Sequence, residues 1–181
     1  MALTSEISPY NPEWPLLFTA EIRRIAEGFG AELIGTHHVG STAVPGLSAK
    51  PEIDILVVVS EHKNEVARSE FMRTLSYVRG TDLSAGHHFY RRDVNGVRTH
   101  KVHVCVAGHG QIARMLRFRD LLREDSTIRK QYQDLKLRLE ANNRGGIAEY
   151  LAHKAPYIDA LMNMHLKDQV RVHISSPERN G

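Results

Sequence analysis

A chain of 181 residues is the size of one domain, and 41% hydrophobic residues are enough for a core, which excludes a disordered or fibrous chain. Twenty-four Lys and Arg against 21 Asp and Glu leave a formal charge of +3, too little to call for a nucleic-acid partner. The longest apolar run, Ile53 to Val59, is broken by Asp54 and far too short to cross a bilayer, so no membrane role is expected.

Glu6, Pro9 and Pro12 stand where an export signal needs an apolar stretch, so the expected compartment is the cytoplasm. The single Cys105 excludes an internal disulfide and a Cys-based zinc site. Between Gln111 and Arg144 nine basic residues face five acidic ones. Such a stretch is read either as a solvated helix face or as a contact for a phosphate-bearing ligand.

In chain order, Asn11-Pro12 starts a helix with Asn as its cap, and Trp14, Leu17, Phe18, Ile22, Ile25 and Phe29 follow at helical spacing. Leu33 to Val39 reads as a strand, Gly40 to Pro51 as a loop, and Glu52 to Val59 as a second strand rich in β-branched residues. A helix is predicted over Glu61 to Val78. His87 to Val94 and Val97 to Val106 form a hairpin about Asn95-Gly96. Helices follow over Gln111 to Arg123, over Thr127 to Asn142 with Ser126 as cap, and over Ile147 to His165 after Gly145-Gly146. The expected architecture is α+β: a mixed sheet with a helical C-terminal part from about residue 111, one domain over residues 1–170 and a loose tail over 171–181.

Chemistry concentrates between His38 and Ile55. A strand runs into Gly40-Ser41, where a glycine lets the backbone approach a ligand and free N–H groups can cradle an anion. Ser41 and Thr42 add hydroxyls, and Lys50 adds a charge able to reach a phosphate. Glu52 and Asp54 then share one face of the next strand, with Ile53, Ile55 and Val57 on the other. Paired carboxylates repel unless a cation lies between them, and Mg²⁺ suits two carboxylates completed by phosphate oxygens and water.

The run HVGSTAVPGLSAKPEIDILV resembles the signature of the GrpB (UPF0157) family, placed in the nucleotidyltransferase superfamily. Asn11-Pro12-Glu13-Trp14 with Phe18, His88 to Arg92, His100 to Val104, Phe118-Arg119-Asp120, Tyr132 with Lys136, and Tyr150 with Lys154 are similar to further landmarks of that family. The resemblance covers about residues 9 to 162. It implies a twisted mixed sheet flanked by helices. The activity it implies is metal-dependent transfer of a nucleoside monophosphate from an NTP to a small polar acceptor, with Mg²⁺ or Mn²⁺ on three carboxylates.

By that resemblance Gly40 and Ser41 hold the triphosphate, and Glu52 and Asp54 bind metal. The third acid belongs on a later strand, and the strand from Thr99 to Val106 has none. Alternation there sets Val102, Val104 and Val106 against Lys101, His103 and Cys105, so His103 is the candidate for the metal-facing place, as ligand or general base. Asp93 is a second candidate for the missing acid. Arg91, Arg92, Arg119, Lys136 and Lys154 are candidate phosphate or acceptor contacts. The alternative reading is a non-catalytic nucleotide-binding module of the same fold.

Overall fold

Ile53 to Val59 is apolar on both faces and therefore belongs at the centre of a sheet covered on both sides. The computed structural model describes residues 5–174, and side chains as far as residue 164. Its elements are α1 (Trp14–Ile25), β1 (Leu33–Val39), β2 (Ile53–Val59), α2 (Glu65–Thr74) and β3 (Val78–Arg79), then β4 (His87–Val94), β5 (Val97–Val106), α3 (Gly110–Glu124), α4 (Ser126–Ala141) and α5 (Ile147–Ile174). Among the described residues the strands form one sheet in the order β1-β2-β5-β4-β3. β2 lies antiparallel to β1 and parallel to β5, and β5 is antiparallel to β4, so the sheet is mixed as expected.

The alternation read from the sequence sorts the core into two layers. Ile53, Ile55, Val57 and Val59 join Val102 and Val104 on the face covered by Trp14 and Ile25 of α1, Phe29, and Met72 of α2. Leu56, Val58 and Cys105 face the other way, against Ile112, Met115 and Leu116 of α3. Full burial of each such aliphatic side chain is worth about 1.5–3 kcal/mol. A third cluster joins Val44 and Leu47, from the loop after β1, to Leu122 of α3 and Tyr132 of α4. That cluster seats the helical part over the loop.

Local differences from the predicted elements have local causes. Asn11 closes a turn ahead of α1, its side-chain oxygen accepting from the Glu13 amide at 2.9 Å, and the helix proper begins at Trp14. The second helix ends at Thr74 because Ser76 turns left-handed at φ 66°, after which Val78 and Arg79 become an edge strand on β4. The α4 cap is Asp125 rather than Ser126: its carboxylate accepts from the amides of Thr127 and Ile128 at 2.8 and 2.9 Å. α5 continues past His165 to Ile174, so the first residues of the expected tail are helical, and residues 175–181 lie outside the described residues. Asn95 and Gly96 take φ 51° and 77°, the left-handed pair that a tight hairpin requires. No helix among the described residues is long and apolar enough to cross a membrane.

Candidate functional site

The turn that follows β1 is held against the acidic strand by glycine geometry and by one hydroxyl. Gly40 has φ 71°, and a Cβ there would lie 2.9 Å from both Cβ and Cγ of Asp54. Any larger residue would therefore collide with the carboxylate as well as strain the backbone. Thr42 donates its hydroxyl to the Glu52 carbonyl at 3.1 Å and lies 3.0 Å from His38 Nε2. Its hydroxyl proton is thereby committed to the loop, while the residue itself lines the site beside Ser41. Ser41 does reach the site, where its hydroxyl contacts that of the buried Tyr132. Arg119 donates to the His38 carbonyl and Arg123 to the Ala43 carbonyl, so Arg119 shapes the turn rather than waiting for a ligand. Burial, with Arg123 and Arg119 nearby, lowers the His38 pKa to about 4 and keeps that ring neutral.

Glu52 and Asp54 share a face, and the strand register decides their neighbour. Asp54 pairs with Lys101 across the parallel β2–β5 ladder, whereas His103 pairs with Leu56. The Lys101 ammonium ion-pairs with Glu52 and lies 3.8 Å from Asp54 Oδ1. Burial alone would lower its pKa; Asp54 and Glu52 outweigh that and raise it. Two charges about 4 Å apart interact by about 4 kcal/mol at an effective dielectric near 20, well above an exposed pair.

His103 is therefore not the residue facing the two acids. Its Nδ1 lies 3.0 Å from His87 Nε2, and its ring packs on Phe89. Burial, His87 and Lys101 push its pKa down to about 3, so it is not a base near neutrality, and its place opposite Leu56 with Nδ1 against His87 sets it apart from the acids. Among the described residues no three His, Cys, Asp or Glu side chains gather as a metal-holding group.

Arg92 is likewise corrected. It pairs with His100 on the other face of the sheet, where its guanidinium meets Glu21 at 2.9 Å and lies over Tyr77. Asp93 is bound to Arg98 at 2.9 Å by the hairpin turn. Lys50 contacts Glu140 at 2.9 Å and the Ser5 carbonyl, tying the loop to α4, and still lines the site. Arg91 stands opposite Lys101 in the β4–β5 ladder, on the side of the acids.

A half-open cavity of about 70 Å³ lies between the Gly-Ser turn, the acidic strand and the C-terminal helices. Four lysines, Lys50, Lys101, Lys136 and Lys154, line it against two carboxylates, Glu52 and Asp54. Lys136 of α4 is 2% exposed, donates to the Ser48 carbonyl at 2.5 Å and lies over the Tyr132 ring. Burial and the neighbouring Lys154 lower its pKa to about 7. Lys154 of α5 lies over Tyr150, and burial and Lys101 lower its pKa against the pull of Asp54 and Glu52. Lysines forced together at the cost of their own charge form a place for an anion.

Sequence reasoning missed Lys101 and Tyr150 as parts of this cavity. Lys101 had a signal: it shares the strand face of His103, and only the register distinguishes them. Tyr150 stood among the family landmarks beside Lys154, but nothing local placed its ring near the acids.

The chain matches the GrpB protein family over residues 4–164. It is 37% identical over 154 residues to the UPF0157 protein YqkA of Bacillus subtilis, a match covering 84% of this chain and 45% of that protein. It is 36% identical over 157 residues to the UPF0157 protein BH1888 of Halalkalibacterium halodurans, covering 84% and 78%. The chain thus spans less than half the length of the first relative and most of the second. Among solved structures it is similar to the conserved protein GrpB from Enterococcus faecalis, with a TM-score of 0.82 at 30% identity over 91% of this chain and 99% of that one. The Cid1 poly(U) polymerase bound to MgATP shares the fold alone, with a TM-score of 0.53 at 10% identity over 81% of this chain and 50% of that one. The chain belongs to the GrpB family and carries the nucleotidyltransferase-like fold.

Proposed function

We propose that this chain is a nucleotidyltransferase that takes the phosphate end of an NTP into the lysine-lined cavity and passes the nucleoside monophosphate to a small polar acceptor. One observation carries the reading: Ser41, Glu52 and Asp54 converge with Lys101, Lys136 and Lys154 on a single half-open cavity.

Two adjacent carboxylates beside a hydroxyl are hard oxygen donors of the kind Mg²⁺ takes, and Glu52 and Asp54 would hold one such ion. When bound it would neutralise charge building on the phosphoryl oxygens. The chain's own groups do the rest. Lys136 and Lys154 neutralise the outer phosphates, and Ser41 donates to one of their oxygens. The acceptor oxygen attacks the α-phosphorus, the bond to the α–β bridging oxygen breaks, and pyrophosphate leaves. The acceptor's proton passes to Asp54, whose side chain is 22% exposed against 8% for Glu52.

A second reading, nucleotide binding without transfer, is favoured by one feature, the lysine at the register position opposite Asp54. Protein incubated with an NTP, a divalent cation and a pool of polar metabolites is expected to release pyrophosphate, and Asp54→Asn to reduce release by roughly 100-fold or more. Nucleotide binding by calorimetry with no release selects the second reading. Failure to bind any nucleotide rejects both.

A further inference from the structure

Lys101 stands in the ladder directly opposite Asp54, and the register is locked on both sides, by β1 against β2 and by β4 against β5. His103 stands two positions further on, opposite Leu56, and would need both ladders to shift by two residues to take the lysine's place. Its ammonium touches Glu52 and approaches Asp54 to 3.8 Å. The acids therefore already share one cation that belongs to the protein.

We infer that Lys101 is a built-in cation in the place of one metal ion, so that the site takes a single divalent ion together with nucleotide and binds it only weakly without. The inference rests on the nucleotide reading of the same site. With the ligand-free acids already neutralised in part, a divalent ion gains little by displacing the lysine until phosphate oxygens complete its shell. Once phosphate arrives, the ammonium can turn from Glu52 toward the phosphoryl oxygens while staying on its strand. Lys101 is in this sense a positioning residue for the ion and the phosphate.

The test is Mn²⁺ stoichiometry by electron paramagnetic resonance, with and without a non-hydrolysable NTP analogue. The full chain is expected to hold one Mn²⁺ with the analogue and to bind Mn²⁺ weakly without it. Lys101→Met, which keeps the hydrocarbon stem, is expected to bind Mn²⁺ roughly tenfold more tightly or better in the absence of nucleotide. Lys101→Asp is expected to hold two ions with the analogue. Two ions on the unaltered chain overturn the inference and leave the nucleotide reading standing, as does an unchanged Mn²⁺ affinity in Lys101→Met. Absence of any analogue binding overturns both. The stoichiometry of the unaltered chain decides the matter even where a variant fails to fold.

Discussion

The two faces of the sheet each bury a cluster of charges, and the clusters differ in whether they close. On the α1 side Glu21 accepts from Arg24, Arg92 and Tyr77, and Arg92 also meets His100. Each charge there has an opposite one in contact, and the Tyr77 hydroxyl is held protonated by burial and by Glu21. On the α5 side Lys101 pairs with Glu52 and Lys50 with Glu140, whereas among the described residues Lys136 and Lys154 make no ion pair, and burial lowers both their pKa values. A closed network holds the fold together, whereas an unbalanced one stores electrostatic cost that an anionic ligand relieves. Arg92 and Lys136 look alike in sequence, and this contrast assigns one to architecture and the other to binding.

The sharpest way to break the comparison is to open the closed network. Glu21→Ala leaves Arg92 buried without its carboxylate, and a loss of about 3–5 kcal/mol is expected, as a fall in Tm on the order of 10 °C. Nucleotide affinity of the folded protein should hardly change; a selective loss of binding would mean that the two clusters are not separate.

Lys136→Met makes the opposite demand. Stability should move by no more than about 1 kcal/mol, the worth of its bond to Ser48, while affinity for a triphosphate falls roughly tenfold. The same lysine makes binding proton-linked. Its pKa of about 7 lies below the ordinary 10.5, so an anion that restores its charge draws a proton from solvent between those values. Calorimetry at pH 8 in buffers of different ionisation enthalpy should register net proton uptake, and none in Lys136→Met.

The smallest expected effect comes from two histidines on the α1 face. His38 and His100 are held near pKa 4, against an ordinary 6.5. Burial leads in each case, followed for His38 by Arg123 and Arg119 and for His100 by Arg92. The unfolded chain therefore binds more protons between those values, so stability is full above about pH 6.5 and declines toward pH 4. Replacing His100 with Gln, which can still accept from Arg92, should make that decline in Tm shallower. An unchanged slope would mean that the ring is already charged in the fold.

Much of the fold was legible because local chemistry and tertiary context agree. The Asn95-Gly96 hairpin, the two-faced strand at Ile53–Val59 and the glycine against Asp54 each follow from a period or a steric need visible in a few residues. Arg92 was misread, and the engagement of the Thr42 hydroxyl within the loop went unforeseen, for one physical reason. A hydroxyl or a guanidinium is the same donor to a phosphate, a carbonyl or a buried glutamate, and only the partner across the fold decides which. The edge strand at Val78–Arg79 escaped because two residues carry no period.

The sequence by itself determined which side chains alternate on each strand, where the chain turns, and that two acids lie beside a Gly-Ser turn, since these are matters of neighbouring residues. The register of β2 against β5 was left to the tertiary structure, because parallel strands are brought together by long crossovers that no local pattern specifies. That register puts Lys101, and not His103, beside Asp54, while the docking of α4 and α5 brings Lys136 and Lys154 to the same cavity.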